Sequence, residues 1–221
     1  MKLYKDDVSP FVRGIYKLVE KHNLDVEFVD VKLFEGEHLK DEYKGISRGQ
    51  TVPSLVDGDI KIGQSNSILK YLCTKHNLPE YPQDVDQQRE VNEMLDFLIS
   101  DYHSFVHLLN NIVGILPFVT YSSESIHKEI KETSENKKIR YMNLLEERLS
   151  KNKFLCGDTE TIADYLGFSI VSFGFMNKDF SLESFPNLEQ WLGNFKKEVD
   201  EYKNVLHQTA AAIEQMRLQP A

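Results

Sequence analysis

One stretch, Thr51 to Leu72, has the residue types and spacing to hold a short peptide. Proline has no donor for a strand ladder, so Pro53 belongs at the first position of a strand or in a bend, and the Val52–Pro53 bond is a candidate cis peptide. Such a bend leaves the backbone N–H and C=O of Val52 free, and a free pair of that kind binds an extended peptide as one more strand. Further on, Gln64-Ser65-Asn66 precedes Ile68, Leu69 and Leu72 at helical spacing. Ser65 therefore opens a helix, where exposed N–H groups and the helix dipole favour a carboxylate. The stretch is built to take a peptide backbone at one end and its carboxylate at the other.

The elements that must position these residues can be read around them. Ser54-Leu55-Val56 and Ile60-Lys61-Ile62 are β-prone runs joined by Asp57-Gly58-Asp59, a hairpin signal because Gly tolerates positive φ. Upstream, Lys2-Leu3-Tyr4 is a first strand. Phe11, Ile15, Leu18, Val19 and His22 follow at helical spacing, and Val26 to Val31 is a second strand, so residues 2–31 form a βαβ unit with a parallel pair. Glu37 to Lys44 is a polar helical segment. Pro10 suits the first helical position, and Ser9 before it reads, taken alone, as a helix cap.

Bulk properties bound the class. The chain has 221 residues, 41% hydrophobic and 28% charged, with a formal net charge of −9. That balance is ordinary for a globular protein. The negative charge argues against non-specific binding to nucleic acid or anionic membrane, and no apolar run approaches the roughly 18 residues of a membrane span. Met1 to Asp7 lacks the apolar stretch of a signal peptide. Cys73 and Cys156 make no metal or redox spacing, so no metal and a reduced, cytoplasmic setting are expected.

The cis-proline hairpin followed by Gln64-Ser65 entering a helix resembles the glutathione-binding half of the cytosolic glutathione transferases. The resemblance implies a thioredoxin-like α/β domain of order βαβ-α-ββα over residues 1–77, a linker at 78–86 containing Pro79 and Pro82, and an all-helical domain over 87–221. It also changes the reading of Ser9. In the serine-type theta and delta classes a serine in a similar Ser-Pro setting donates a hydrogen bond to the glutathione sulfur, and Ser9 is the matching catalytic residue. Tyr4, inside the strand, reads as core. By the same match His38 meets the glycine carboxylate of glutathione, Gln50 stands where the family often has a second polar or histidine contact, Val52 and Pro53 carry the main-chain pairing, and Gln64 and Ser65 hold the γ-glutamyl end. Many members have Glu where Gln64 stands, which implies either weaker glutathione binding here or a charge supplied by Asp96 or Asp101 of the partner subunit.

A second signature lies in the helical half. Thr161 and Asp164 have the spacing of a capping box, with Asp for the usual Glu, and Ile162 to Phe175 runs nearly all apolar as a buried central helix. The Gly157-Asp158, then Thr161-Ile162-Ala163-Asp164 pattern resembles the folding motif of glutathione transferases. Val91, Leu95, Leu98, Tyr102, Phe105, Leu109 and Ile112 form one stripe of a long helix. An electrophile pocket is expected between the domains, with Phe11 and Val12 on one side and Tyr102, Phe105, Val106 and Phe118 opposite as candidate lining; as helix-face residues, each reads equally as ordinary core.

The function implied is conjugation of the glutathione thiolate to small hydrophobic electrophiles, a detoxification chemistry, by a two-fold homodimer with glutathione as co-substrate. The dimer is expected to use the helix of Ser65 to Cys73 and the long helix from about Gln87, with polar contacts, since Ser47-Arg48-Gly49-Gln50 has no aromatic key. Two alternatives remain at this level: a non-catalytic glutathione-binding or scaffolding protein, which the uncharged Gln64 favours, and a glutathione-dependent isomerase or dehalogenase.

Overall fold

The computed structural model describes residues 1–108, 124–177 and 180–218. β1 (Lys2–Lys5), α1 (Pro10–His22) and β2 (Glu27–Asp30) form the βαβ unit, with β1 and β2 parallel and Leu3 opposite Phe28. The expected polar helix resolves into short turns at Leu33–Glu35 and Glu37–Leu39 and one helical turn, α2 (Asp41–Lys44). Gly36, at φ 70, separates the two turns. β3 (Ser54–Asp57) and β4 (Ile60–Gly63) follow as an antiparallel hairpin around Gly58 at φ 58, and the sheet order is β2-β1-β3-β4. Strand alternation sorts the side chains. Leu3 and Leu55 face each other across β1 and β3, fully buried against α1 and α3 (Ser65–His76). Tyr4 points to the other face and packs edge-on against Tyr43, beside Val31 and Val52.

Asn77, at φ 52, ends α3, and α4 (Val85–Asp96) starts at Asp84, whose carboxylate accepts from the N–H groups of Asp86 and Gln87. The helix continues to Leu108 with the wider turn of a π-helix. α5 (Glu124–Leu149) runs without a break through Thr133-Ser134, where the sequence allowed one. α6 (Ile162–Ser172) is buried along its whole length. The last amphipathic run divides: α7 (Pro186–Leu192) ends at the tight turn Gly193–Phe195, and α8 (Lys196–Leu218) takes the chain through the Ala- and Gln-rich tail.

Asp164 fixes the start of α6. Its carboxylate accepts from the N–H groups of Thr161 (2.8 Å) and Leu155 (2.8 Å), from Thr161 Oγ1 (3.0 Å) and from Trp191 Nε1 (3.0 Å). Burial pushes its pKa up, while these four hydrogen bonds favour the ionised form. Glu160, where the family often has an apolar residue, instead accepts from Lys21 Nζ (2.6 Å) and Tyr165 Oη (2.8 Å). It thereby ties the cap of α6 to α1.

α1 and α6 meet at backbone distance. A Cβ on Gly14 would sit 2.6 Å from the Tyr165 carbonyl oxygen, so only glycine allows the contact. Below it lies Glu80, fully buried, with Lys21 Nζ and His22 Nε2 each 2.8 Å from its Oε1. Burial works to raise the Glu80 pKa, but the bonds from Lys21 and His22 prevail and hold it below the ordinary carboxylate value.

Two expectations follow. Asp164→Ala leaves four buried donors without their acceptor and should cost about 3–5 kcal/mol in urea unfolding, with Asp164→Asn less harmful because one acceptor survives. Glu80 contributes stability above its unfolded pKa of about 4.3 and loses that contribution as pH falls through the lower folded value. The unfolding free energy of the parent should therefore drop on acidification below about pH 5, and Glu80→Gln should start lower at neutral pH and show a flatter acid limb.

Candidate active site

Val52–Pro53 is cis, as the position of the proline before β3 led us to expect. The peptide before it is held by three hydroxyls that converge on the Thr51 carbonyl: Tyr43 Oη (3.0 Å), Ser47 Oγ (3.2 Å) and Ser54 Oγ (3.0 Å). Among the described residues, neither the N–H nor the C=O of Val52 has a hydrogen-bond partner. Val52 and Pro53 wall a cavity of about 150 Å³, together with Thr51, Phe11, Gln64, Ser65 and Ile99. The hairpin, the head of α3, α1 and the long helix therefore meet at one place.

Ser65 is buried at the first position of α3. No acidic residue lies in the first turn, and the Gln64 side chain makes no cap bond. The first N–H groups of a helix lack intrahelical partners, so this end is suited to a carboxylate. Gln64 itself is exposed and holds φ 66, ψ 122, a conformation costly for any residue but glycine. A side chain kept at such a position points to a use for it. Thr51 and Gln64 also line a second depression, of about 620 Å³, which carries Lys44, Arg48 and Lys61.

Ser9 sits before Pro10 at the head of α1, and its hydroxyl is not spent as a cap: no side-chain cap bond forms. Among the described residues Ser9 Oγ has no hydrogen-bond partner, although the residue is only 7% exposed. Its backbone is fully engaged, with N–H donating to Asp6 O (3.0 Å) and C=O accepting from the Val12 N–H (3.3 Å). Ser9 is not itself among the residues lining the small cavity; Phe11, two positions on, is.

The other expected site residues divide. Gln50 Nε2 donates to the His38 carbonyl (3.2 Å), which brings that pair together beside Thr51, and His38 Nδ1 is buried without a partner. Val12 and Tyr102 are fully buried. Phe118 lies outside the described residues, as do the side chains of Phe105 and Val106. Ile99 and His103 were not anticipated. His103 meets Phe11 edge-on with ring centroids 4.5 Å apart, and burial lowers its pKa to about 4, so the ring is neutral at pH 7. The signal was present: 99 and 103 are one helical turn apart, on the stripe next to the one read as pocket.

The two cysteines offer no rival nucleophile. Burial pushes the thiols of Cys73 and Cys156 each up to about 12, and both are free.

The family model "Glutathione S-transferase, N-terminal domain" matches residues 3–80, and "Glutathione S-transferase, C-terminal domain" matches residues 109–198. Glutathione S-transferase F9 of Arabidopsis thaliana is 30% identical over 196 residues, covering 86% of this chain and 89% of that protein. Human glutathione S-transferase theta-1 is 28% identical over 169 residues, covering 74% and 69%. Among solved structures, an epsilon-class glutathione S-transferase from the housefly, Musca domestica, superposes with a TM-score of 0.77 at 24% identity, covering 99% of each chain. The cis-proline edge and the open helix start thus sit in a chain matched in both halves by one set of family models, and the chain belongs to the glutathione S-transferase family.

Proposed function

We propose that the protein transfers the thiolate of glutathione to small hydrophobic electrophiles and that Ser9 is the catalytic hydrogen-bond donor to the sulfur. The observation that carries this reading is the Ser9 hydroxyl: on a residue only 7% exposed, at a helix start, and unengaged where a cap bond was the simpler use for it. A free thiol of pKa about 8.5 is only a few per cent thiolate at pH 7. One hydrogen bond and the positive end of α1 both favour the anion, and a drop of about two units, worth ~2.7 kcal/mol, makes thiolate the majority form. The thiolate then attacks the electrophilic carbon, the C–S bond forms, and any leaving group departs with its electron pair. The proton lost earlier from the thiol goes to solvent.

Glutathione lies along the cis-proline edge in this reading. Val52 pairs with its cysteinyl unit, Gln64 and the N–H groups at Ser65 hold the γ-glutamyl end, and His38 and Gln50 meet the glycine carboxylate. Phe11 and Ile99 supply the apolar wall for the electrophile, with His103 behind Phe11. Residues 1–77 form the glutathione-binding domain and 87–221 the helical domain, joined by 78–86. The assembly is a cytoplasmic homodimer acting in detoxification, in accord with two free cysteines and a charge of −9.

Ser9→Ala should lower kcat/KM for chlorodinitrobenzene at pH 7 by roughly 10- to 100-fold, with the KM for glutathione little changed. Equal activity in parent and variant removes Ser9 from its role. Gln64→Gly should raise stability by about 1 kcal/mol, because glycine accepts positive φ without strain, while weakening glutathione binding in calorimetric titration.

A further inference from the structure

The turn that presents Ser9 belongs to the α/β half, yet part of its support comes from the helical half. Tyr202, on α8, is fully buried and donates from Oη to the carbonyl of Val8 (2.8 Å), the residue before Ser9. Ser169, on α6, is fully buried and donates from Oγ to the carbonyl of Pro10, the residue after Ser9. The two carbonyls that flank Ser9 are thus each held by a hydroxyl from a different helix of the other half. The Tyr202 ring also carries the Arg13 guanidinium, 4.8 Å from its centroid, and Arg13 in turn donates to the Asp7 carbonyl (2.8 Å).

The remaining supports come from the α/β half. Asp6 accepts from the N–H groups of Val8 and Leu33 (3.0 Å each), and Asp7 accepts from Tyr16 Oη (2.7 Å) and pairs with Lys5 (3.1 Å). Those bonds fix the turn to its own sheet and helix. They do not reach Val8 O or Pro10 O. Tyr202 holds the Val8–Ser9 peptide, whose N–H also donates to Asp6 O, and Ser169 holds the Pro10–Phe11 peptide, one residue beyond Ser9, with the proline ring fixing φ between that peptide and Ser9–Pro10.

We propose that Tyr202 and Ser169 are positioning residues for the reaction: their buried hydroxyls clamp the peptide that enters Ser9 and the Pro10–Phe11 peptide just beyond it, and so aim the Ser9 hydroxyl at the glutathione sulfur. The role rests on the reading of Ser9 as the sulfur's hydrogen-bond donor. Neither residue touches glutathione. Both act through the backbone of the turn, where a misplacement of the order of 1 Å is enough to cost up to about 100-fold in rate.

The test is the pKa of the bound glutathione thiol, read from the ultraviolet absorbance of the thiolate as pH is varied, in the full-length protein. The double variant Tyr202→Phe/Ser169→Ala should raise that pKa by roughly half a unit to one unit and lower kcat/KM at pH 7 about 3- to 10-fold, with the KM for glutathione within about twofold of the parent. Tyr165→Phe is the control. It removes another buried hydroxyl from the α1–α6 contact, bonded to Glu80 and Glu160, and should lower stability without moving the thiol pKa. Should the double variant not fold, Tyr202→Phe alone, which keeps the ring on Arg13, gives the same reading with a smaller shift. An unchanged thiol pKa in the clamp variants, with a raised one in Ser9→Ala, overturns the clamp and leaves Ser9 in place. An unchanged pKa in Ser9→Ala overturns the role of Ser9, and the clamp falls with it.

Discussion

The contact between α1 and α6 at Gly14 is the constraint on which the remainder of the structure depends. A methyl group there would lie 2.6 Å from a carbonyl oxygen and 2.8 Å from its carbon, both backbone atoms that no rotamer change can move. The two helices therefore have one permitted separation. α1 carries Ser9 at its head and Lys21 and His22 at its foot; α6 carries Asp164 at its head and Ser169 along its length. Once the separation is set, Lys21 reaches Glu160 and Glu80 at one end and Ser169 reaches Pro10 at the other. The contact between the two halves and the turn at Ser9 are consequences of the same approach.

Charges in this protein differ greatly in what they do. Exposed pairs such as Lys196–Asp200 and Arg89–Glu93 lie in water at helical spacing and contribute little. Asp164 and Glu80 are another matter. Each is fully buried and each takes several donors, those of Glu80 all on Oε1, so each converts a desolvation cost into a geometric requirement. Asp164 needs Leu155, Thr161 and Trp191 in place at once, which links the loop before α6 to α7. Glu80 needs α1 and the start of α6, because Ile162 N–H donates to its carbonyl while its carboxylate takes Lys21 and His22. The segment between the halves is thereby pinned at both of its chemical faces.

Local chemistry could be read from the sequence; what depended on partners could not. The hairpin at Asp57-Gly58-Asp59, the proline before β3 and the Thr161–Asp164 cap are each decided within a few residues, and each stands where the residue types place it. The stripe Leu95, Leu98, Tyr102 was also correct as a stripe, but period alone does not say what a face meets. It faces the core, while Ile99 and His103 on the next stripe face Phe11. Likewise Ser9 looked like a cap because Ser before Pro usually is one. That its hydroxyl makes no cap bond follows from how the turn is held by Asp6, Arg13, Tyr202 and Ser169, residues from four parts of the chain. The Lys21–Glu160 tie escaped notice for the same reason: 139 residues separate its partners.

A single neutral hydroxyl is a weak way to stabilise a thiolate, and on the proposed reading that weakness has a reason. Lowering a thiol from about 8.5 to about 6.5 raises its thiolate fraction at pH 7 some 25-fold, but the nucleophilicity of each thiolate falls by about 6- to 10-fold, since reactivity tracks basicity with a coefficient near 0.4–0.5. The net gain is about threefold. A further unit adds almost no thiolate and forfeits about threefold in reactivity, so a stronger donor would slow the reaction. A guanidinium aimed at the sulfur would pull in that direction. Arg13 is close in sequence and its side chain is largely buried, yet it is committed to the Asp7 carbonyl and the Tyr202 ring. The structure keeps its nearby cation on the support of the turn and leaves the hydroxyl of Ser9 unengaged, the arrangement that favours a thiolate which is abundant and still reactive.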